Sequence, residues 1–209
     1  MNFNNTSEDQ TLLTPETAVQ ALKDGNERVV YNLKLNRNLL QQLNEASEKK
    51  LPFAVILSCI DSRASAELIF DQGFGDLVSI RVAGNIINED ILGSMEFACK
   101  IGGAKIIVVL GHTRCGAIKG ACDDVKLGNL TSLIAKIKPA VASIRDPATN
   151  RNSKNPEFTE KVAVANVRQV IASIRHRSEI LRDMVEHNEI AVVGGMYDIQ
   201  TGSIEFYEN

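Results

Sequence analysis

The sequence predicts an α/β fold with a mainly parallel central β-sheet flanked by helices and an N-terminal helical arm. Three observations support this prediction. Apolar runs of strand length alternate with segments of helical periodicity, as in parallel sheets with right-handed crossovers. In the predicted strand at 105–111 (KIIVVLG), every residue after Lys105 is apolar, which is typical of a strand covered on both faces. The 209 residues are 44% hydrophobic, which suits one compact domain spanning residues 1–209.

The N-terminal segment is predicted to begin disordered and to become helical. Residues 1–11 are polar, and we expect them to be disordered. At Thr14-Pro15-Glu16 a hydroxyl N-cap precedes a proline at the first helical position and an acidic residue in the first turn. A second helical stretch is predicted at 39–46. Both helices precede the sheet, so they either dock on it or reach across to a second subunit.

Strands and helices then alternate along the rest of the chain. The predicted strands are Phe53–Cys59, Asp76–Val82, Lys105–Gly111 and Ile190–Gly195, with Ile204–Tyr207 as a candidate for a short last strand. The predicted helices are Ala64–Asp71, Glu89–Ile101, Arg114–Asp123, Leu130–Ile144 and Val162–His187. The polar interval 145–160 contains two prolines and three asparagines, and it is predicted to be a surface loop.

Charge, hydropathy and cysteine content exclude several classes of protein. A formal net charge of −3 gives no electrostatic reason for binding nucleic acid or an anionic membrane. The sequence contains no run of about 18 apolar residues that would predict a membrane span. The first residues lack the order of a secretory signal, so we expect a cytoplasmic protein, or a periplasmic one if a leader was removed. Four cysteines are too few and too unevenly spaced for a disulfide scaffold.

Side chains with metal-binding chemistry follow two of the predicted strands. Residues 59–63 (CIDSR) leave the first strand, and residues 111–116 (GHTRCG) leave the third. Because the carboxyl ends of parallel strands meet at one edge of a sheet, we expect these segments to lie together. Two thiols and one imidazole are ligands suited to Zn²⁺. His112 and Cys115 are expected to share one face at the start of a helix.

The two remaining cysteines are interpreted as structural. Cys122 lies seven residues after Cys115, about 10 Å along a continuous helix. Two sulfurs that are each about 2.3 Å from one ion do not span that distance. Cys99 ends a predicted helix at the opposite edge of the sheet. Three protein ligands and an open fourth position remain, which is the pattern of a catalytic zinc site.

The pair of motifs CIDSR and, some fifty residues later, GHTRCG resembles the bacterial β-class carbonic anhydrases. The resemblance extends over nearly the whole chain beyond about residue 15 and includes FDQGFGDLVSIRVAGN and DILGSMEFA. It implies zinc bound by Cys59, His112 and Cys115, and a dyad of Asp61 and Arg63 beside a bound water. The implied reaction is the reversible hydration of carbon dioxide to bicarbonate and a proton, in a homodimer or homotetramer.

The chemistry of these residues suits the implied roles. Zinc with two thiolates is formally neutral and should acidify water less than a three-histidine site does. A carboxylate at Asp61 can accept the proton of that water, while Arg63 holds the carboxylate away from the metal by a charge-assisted bond. By similarity, a small apolar pocket wall would include Val78, Ala83 and Phe97.

The sequence departs from the family pattern at several positions. Lys50 stands where many relatives have a glutamine that donates to bicarbonate from a neighbouring subunit, and Phe97 replaces a frequent tyrosine. An Ala-Ser pair follows Arg63 where Val-Pro is more common. In one subgroup bicarbonate binds beside a tryptophan and allows the dyad aspartate to close onto zinc. This chain has no tryptophan, so we expect Asp61 to stay paired with Arg63. Asp61 would be a metal ligand only if a closed state of this kind formed.

Other interpretations of the same residues remain open. The scaffold could hydrolyse CS2 or COS, or it could be a zinc-binding regulatory module without turnover. Outside a metal site, Asp61 and Arg63 would be a turn-stabilising ion pair. Arg81 is interpreted as a structural anchor for the dimer in preference to a pocket wall. His176 and His187 lie in a long charged helix and are interpreted as solvated.

Overall fold

The computed structural model describes residues 13–38, 40–44, 51–146 and 149–207. Its strands are β1 (Ala54–Ser58), β2 (Leu77–Arg81), β3 (Ile106–His112), β4 (Ala191–Tyr197) and β5 (Ile204–Tyr207). Within these residues the strands form one sheet in the order β2-β1-β3-β4-β5. The first four strands are parallel, and β5 pairs antiparallel with β4. The predicted mainly parallel sheet is therefore confirmed.

Helices flank the sheet, as predicted. They are α1 (Pro15–Val30), α2 (Ala66–Ile69), α3 (Glu89–Glu96), α4 (Gly116–Cys122), α5 (Leu130–Ala135), α6 (Lys138–Ser143), α7 (Pro156–Arg177) and α8 (Glu179–Glu186). A 3₁₀ turn (Ala83–Asn85) follows β2, and a π-helical turn (Phe97–Ile101) continues α3. In the described part of the chain, no helix combines the length and apolarity needed to cross a bilayer.

Some predictions fall on residues outside the described ranges. Of the helix predicted at 39–46, residues 40–44 are helical, and its two ends lie outside. The predicted disorder of residues 1–11 also lies outside, as does Lys50.

Each face of the sheet packs against its own set of helices. Side chains alternate between the two faces of a strand, so Val55 and Leu57 of β1 pack in one cluster, while Ala54 and Ile56 pack in the other. The first cluster is covered by α3 to α8, and the second by α1 and α2. The central strands β1 and β3 are buried throughout, so their carboxyl ends are held firmly in place.

The helix α1 begins where the sequence predicts it. Thr14 accepts a hydrogen bond from the backbone amide of Thr17, and Pro15 occupies the first turn. The buried residues Ala18 and Leu22 belong to the second apolar cluster. Of the two expected arrangements, α1 therefore docks on the sheet of its own chain.

A buried carboxylate anchors the end of the N-terminal arm. Asp71 accepts hydrogen bonds from Arg28 Nε at 2.6 Å, from Arg37 Nη1 at 2.5 Å and from the backbone amide of Leu35 at 3.2 Å. Burial raises the pKa of Asp71, but the hydrogen bonds from the two arginines outweigh this effect and leave the pKa lowered. The charged form of Asp71 is thus the form that stabilises the fold.

The prediction of one helix over 130–144 was wrong. The segment forms α5 and α6, separated by a short turn. Pro139 lies in the first turn of α6, and it has no amide hydrogen with which to continue α5. A proline inside an apolar helical pattern was the signal of this break.

The prediction of one helix over 162–187 was also wrong. The helix α7 begins earlier, at Pro156, because the side chain of Asn155 accepts from the amide of Phe158; the predicted surface loop is correspondingly shorter. Ser178 then separates α7 from α8 and accepts a hydrogen bond from the amide of Leu181 at 3.1 Å. Local capping by asparagine and serine set these boundaries.

Candidate metal centre

Cys59, His112 and Cys115 meet at the carboxyl edge of the sheet. Cys59 immediately follows β1, and His112 is the last residue of β3, the neighbour of β1 in the sheet. The ligand atoms of the three residues lie within 4.8 Å of one another, and all three residues are buried. Parallel pairing of β1 with β3 therefore brings together residues that are far apart in the sequence.

The expectation that His112 and Cys115 share a helix face was wrong. His112 still belongs to β3, and Cys115 is the N-cap of α4 with an extended backbone (φ −60°, ψ 124°). Between them Arg114 has φ 58°, a left-handed conformation that costs a non-glycine residue about 1–2 kcal/mol. The amide of Arg114 donates to Glu160 at 3.2 Å, and its guanidinium donates to Gln200 at 2.8 Å. These bonds hold the turn that directs the side chains of His112 and Cys115 to one point.

His112 presents its Nε2 atom to the site. Its Nδ1 lies 2.9 Å from the carbonyl oxygen of Thr113, so Nδ1 donates its hydrogen there and Nε2 is left as the acceptor. Within the described residues, Nε2 is buried and has no hydrogen-bond partner. Such an unsatisfied buried group costs about 1–3 kcal/mol. Coordination of a metal ion by Nε2 would remove that cost.

The two sulfur atoms are spaced for one tetrahedral ion. Cys59 Sγ and Cys115 Sγ are 3.8 Å apart, and two thiolates bound at about 2.3 Å in tetrahedral geometry lie about 3.8 Å from each other. A disulfide would need about 2.05 Å. The hydrogen bond with Cys115 is the largest cause that lowers the pKa of Cys59, against burial; the same bond, together with burial, raises the pKa of Cys115, so the pair without a metal shares one proton. The donor set and its spacing therefore fit a thiolate-bound metal.

Asp61 and Arg63 form a two-point ion pair beside this cluster. Arg63 donates from Nε to Oδ1 at 2.9 Å and from Nη2 to Oδ2 at 2.8 Å, and its backbone amide donates to Oδ1 at 3.0 Å. The hydrogen bond from the Arg63 side chain is the main cause that holds the pKa of Asp61 well below its usual range. Asp61 is therefore an anion near neutral pH, and Arg63 engages both of its oxygens.

Arg81 fixes the turn that carries Cys59 and Asp61. It is the last residue of β2, and its guanidinium donates to the carbonyl oxygen of Cys59 at 3.2 Å and to that of Asp61 at 2.6 Å. These contacts give Arg81 a structural role within its own chain, and its predicted role as an anchor for the dimer stays a prediction. Its partners in this turn were not anticipated from the sequence, although its position at the end of a neighbouring strand was the available signal.

The cysteines that were interpreted as structural lie outside the cluster. Burial raises the pKa of Cys99 to about 12, and burial is also the largest cause that raises the pKa of Cys122 to about 11. Neither thiol is in the metal-ligand group. Both groups are thus protonated thiols near neutral pH.

The three residues suggested for an apolar pocket wall differ in their surroundings. Val78 lies in β2, the strand next to β1, and Ala83 lies in the 3₁₀ turn that follows β2. Both residues are half-buried. Phe97 is 64% exposed in the single chain, so this chain alone does not enclose it.

Comparison with known proteins relates the chain to one family. Residues 54–204 match a family model described as carbonic anhydrase. The chain is 33% identical over 195 residues to carbonic anhydrase 2 of Mycobacterium tuberculosis, which covers 90% of each protein. It is 30% identical over 197 residues to the carbonic anhydrase of Mycolicibacterium smegmatis, covering 91% of this chain and 92% of that protein.

Solved structures share the fold. The β-carbonic anhydrase CcaA superimposes with a TM-score of 0.72 at 23% identity, covering 97% of this chain and 89% of its own. A structure from a study of two tetrameric β-carbonic anhydrases of the ascomycete Sordaria macrospora superimposes with a TM-score of 0.69 at 23% identity, covering 93% and 98%. The architecture built around the cluster is therefore that of these proteins.

Proposed function

Because the chain belongs to the β-class carbonic anhydrase family, and is thus an enzyme, we propose that it hydrates carbon dioxide reversibly to bicarbonate with one Zn²⁺ held by Cys59, His112 and Cys115. The observation that supports this most directly is the 3.8 Å separation of the two Sγ atoms beside the unpartnered Nε2 of His112. An ionised Asp61 paired with Arg63 lies next to that donor set.

The dyad would control the water molecule that reacts. Zinc, when bound, would supply the Lewis acidity that lowers the pKa of a water in the fourth position. The Asp61 carboxylate would accept a hydrogen bond from the reacting water and would thereby orient its oxygen lone pair toward the carbon of carbon dioxide. Because both oxygens of Asp61 accept from Arg63, Arg63 keeps the carboxylate from becoming a fourth metal ligand.

The site would be completed by a second copy of the chain. Tyr31, Leu33 and Leu40, on or after the end of α1, are 66%, 66% and 69% exposed, and exposed apolar groups of this kind mark interaction surfaces. The strand β2, which ends in Arg81, lies at the edge of the sheet. A homodimer or homotetramer that covers these features would remove them from water, and Phe97 is a further exposed apolar side chain of the single chain. Burial of apolar surface is thus the physical reason for the proposed assembly.

The proposed site suits a reducing compartment. Two thiolates at 3.8 Å require only a small displacement to form a disulfide, and oxidation would abolish metal binding. Reduced thiols are maintained in the cytoplasm. A cytoplasmic location therefore stays our prediction.

Stopped-flow measurement of carbon dioxide hydration, combined with metal analysis, tests the proposal. We expect one zinc per chain and rapid hydration that disappears when the metal is removed. Stoichiometric zinc without hydration would favour a regulatory zinc-binding module. Hydrolysis of COS or CS2 by a preparation that does not hydrate carbon dioxide would favour the hydrolase alternative, and either result would contradict our proposal.

A further inference from the structure

A hydrogen-bonded path joins α7 to the proposed metal ligand Cys59. Asn166, in the middle of α7, donates from Nδ2 to the carbonyl oxygen of Gly84 at 2.9 Å. The backbone amide of Gly84 donates to Cys59 Sγ at 3.4 Å. Asn166 is 2% exposed and Gly84 is buried. The path is therefore shielded from water, which would otherwise compete for both hydrogen bonds.

Gly84 needs external support to keep its amide in this direction. Its φ of 68° and ψ of 21° lie in the left-handed region, where glycine is the one residue free of a side-chain penalty but is also the least restrained. Space around it is closed: an added Cβ would lie 2.6 Å from Ile137 Cδ1 and 3.2 Å from Ala117 Cβ. The carbonyl of this flexible residue is fixed by the side chain of Asn166.

We propose that Asn166 is a positioning residue for the metal centre. By holding the Gly84 carbonyl, it directs the Gly84 amide at the sulfur of Cys59. An amide that donates to a thiolate ligand withdraws electron density from the sulfur, and such outer contacts orient ligands and tune the metal. This inference rests on the proposed binding of zinc by Cys59.

The physical need for such a donor follows from the ligand set. Two thiolates neutralise the charge of a divalent ion, so the ion polarises water less strongly than one bound by neutral ligands. A donor that draws density from one sulfur offsets part of this effect. Cys115 lies at the N-cap of α4, whereas Cys59 follows a strand. The Gly84 amide gives Cys59 a backbone donor.

The chain offers a matched control for Asn166. Asn26 is also a buried asparagine, and its Nδ2 donates to the carbonyl oxygens of Ile69 at 2.9 Å and Gly202 at 2.8 Å. It lies in α1, which covers the opposite face of the sheet. Its Oδ1 also accepts from the backbone amide of Ile204 at 3.0 Å, so replacing Asn26 removes at least as much buried backbone contact as replacing Asn166, without touching the proposed metal ligands.

The two asparagines should be replaced separately, as Asn166→Leu and Asn26→Leu. We expect Asn166→Leu to weaken zinc affinity about 10- to 100-fold in chelator competition, the usual cost of losing an outer contact. In the cobalt-substituted protein its thiolate-to-metal absorption should move to longer wavelength, because the sulfur regains electron density. Asn26→Leu should lower thermal stability and leave both metal readouts unchanged. Unchanged affinity and absorption in folded Asn166→Leu, or equal losses in both variants, would overturn the inference.

The native protein loaded with ¹¹³Cd gives a test that does not depend on a variant that folds. We expect a scalar coupling between the amide proton of Gly84 and the metal, transmitted through Cys59 Sγ. An assigned Gly84 amide that shows no coupling would reject the path. A native protein that binds no zinc would instead refute the proposed function, whereas zinc binding without dependence on Asn166 would refute this inference alone.

Discussion

Replacing Asp61 with asparagine removes one negative charge and keeps the shape of the side chain. In the structure Oδ1 accepts from both Nε and the backbone amide of Arg63, while Oδ2 accepts from Nη2 at 2.8 Å. In Asp61→Asn, Oδ1 can keep its two bonds, but Nδ2 then faces the Nη2 donor of Arg63. Two donors at that distance repel, so the guanidinium must move or the amide must turn over.

The expected effect is on turnover and not on metal content. The amide can donate to the reacting water where the carboxylate accepted, which removes a contribution of the size of general acid–base catalysis. We therefore expect kcat/KM to fall about 100-fold or more, equivalent to about 2.7 kcal/mol of transition-state stabilisation. Zinc content should not change, because Asp61 does not belong to the ligand cluster.

Stopped-flow hydration and metal analysis on the same preparations would measure both quantities. Asp123→Asn is a suitable control, because Asp123 also accepts a hydrogen bond from a backbone amide, that of Ser153 at 2.8 Å, and has no contact with the dyad. The control should retain full activity. Near-normal turnover in Asp61→Asn would remove Asp61 from the chemistry. Loss of zinc together with activity would show that Asp61 supports the ligands and does not act on the substrate.

Four further results are expected. Cys115→Ser should lose most zinc and activity in metal analysis and hydration assays, whereas Cys99→Ser and Cys122→Ser should keep both; full zinc occupancy in the first variant would contradict the ligand set. Asp71→Asn should lower the free energy of unfolding by about 3 kcal/mol at neutral pH, because it leaves two arginines without their buried partner. Since the folded pKa of Asp71 is lowered, its contribution is present above the unfolded pKa of about 3.9 and is lost as the pH falls through the folded value. The free energy of unfolding should be measured by denaturant titration at several pH values between 3 and 7, around that window. As the pH falls, it should decrease less in the variant than in the native protein. Light scattering should give a mass above the 22.8 kDa of one chain, and a single-chain mass with full activity would be inconsistent with assembly. Bicarbonate should inhibit without cooperativity, because the tryptophan-lined pocket of the regulated subgroup is missing and a ligand shifts an equilibrium only through differential affinity; a sigmoidal curve would show closure by another route.

The parts of the fold that could be predicted are those determined by local sequence. The continuous apolar run at 106–111 predicted β3 because a strand buried on both faces needs apolar side chains at every position. Thr14 and Pro15 predicted the start of α1 because capping depends on neighbouring residues alone. The convergence of Cys59 and His112 followed from a general property of parallel sheets, whose carboxyl ends share one edge.

The parts that could not be predicted depend on contacts between distant segments. The left-handed Arg114 is held by Glu160 and Gln200, which the spacing of the motif does not reveal. The link from Asn166 to Gly84 spans 82 positions, and an asparagine within a helical pattern gives no sign of its partner. Such details arise from packing, and a single sequence records them only indirectly.

The placement of Cys59 just after β1 and of His112 at the end of β3 imposes an order on the formation of the proposed metal site during biosynthesis. Cys59 emerges from the ribosome well before Cys115, and the two sulfurs meet only after β1 and β3 have paired in their parallel register, with Ser58 opposite Leu110. A nascent chain that ends before β3 therefore contains cysteine thiols but lacks the arrangement of side chains that the proposed metal site requires. Asn166 and the rest of α7 follow later still, so a tight site forms only when most of the chain is complete. If the cluster binds a metal as proposed, we therefore expect insertion of the ion to be a late step of maturation.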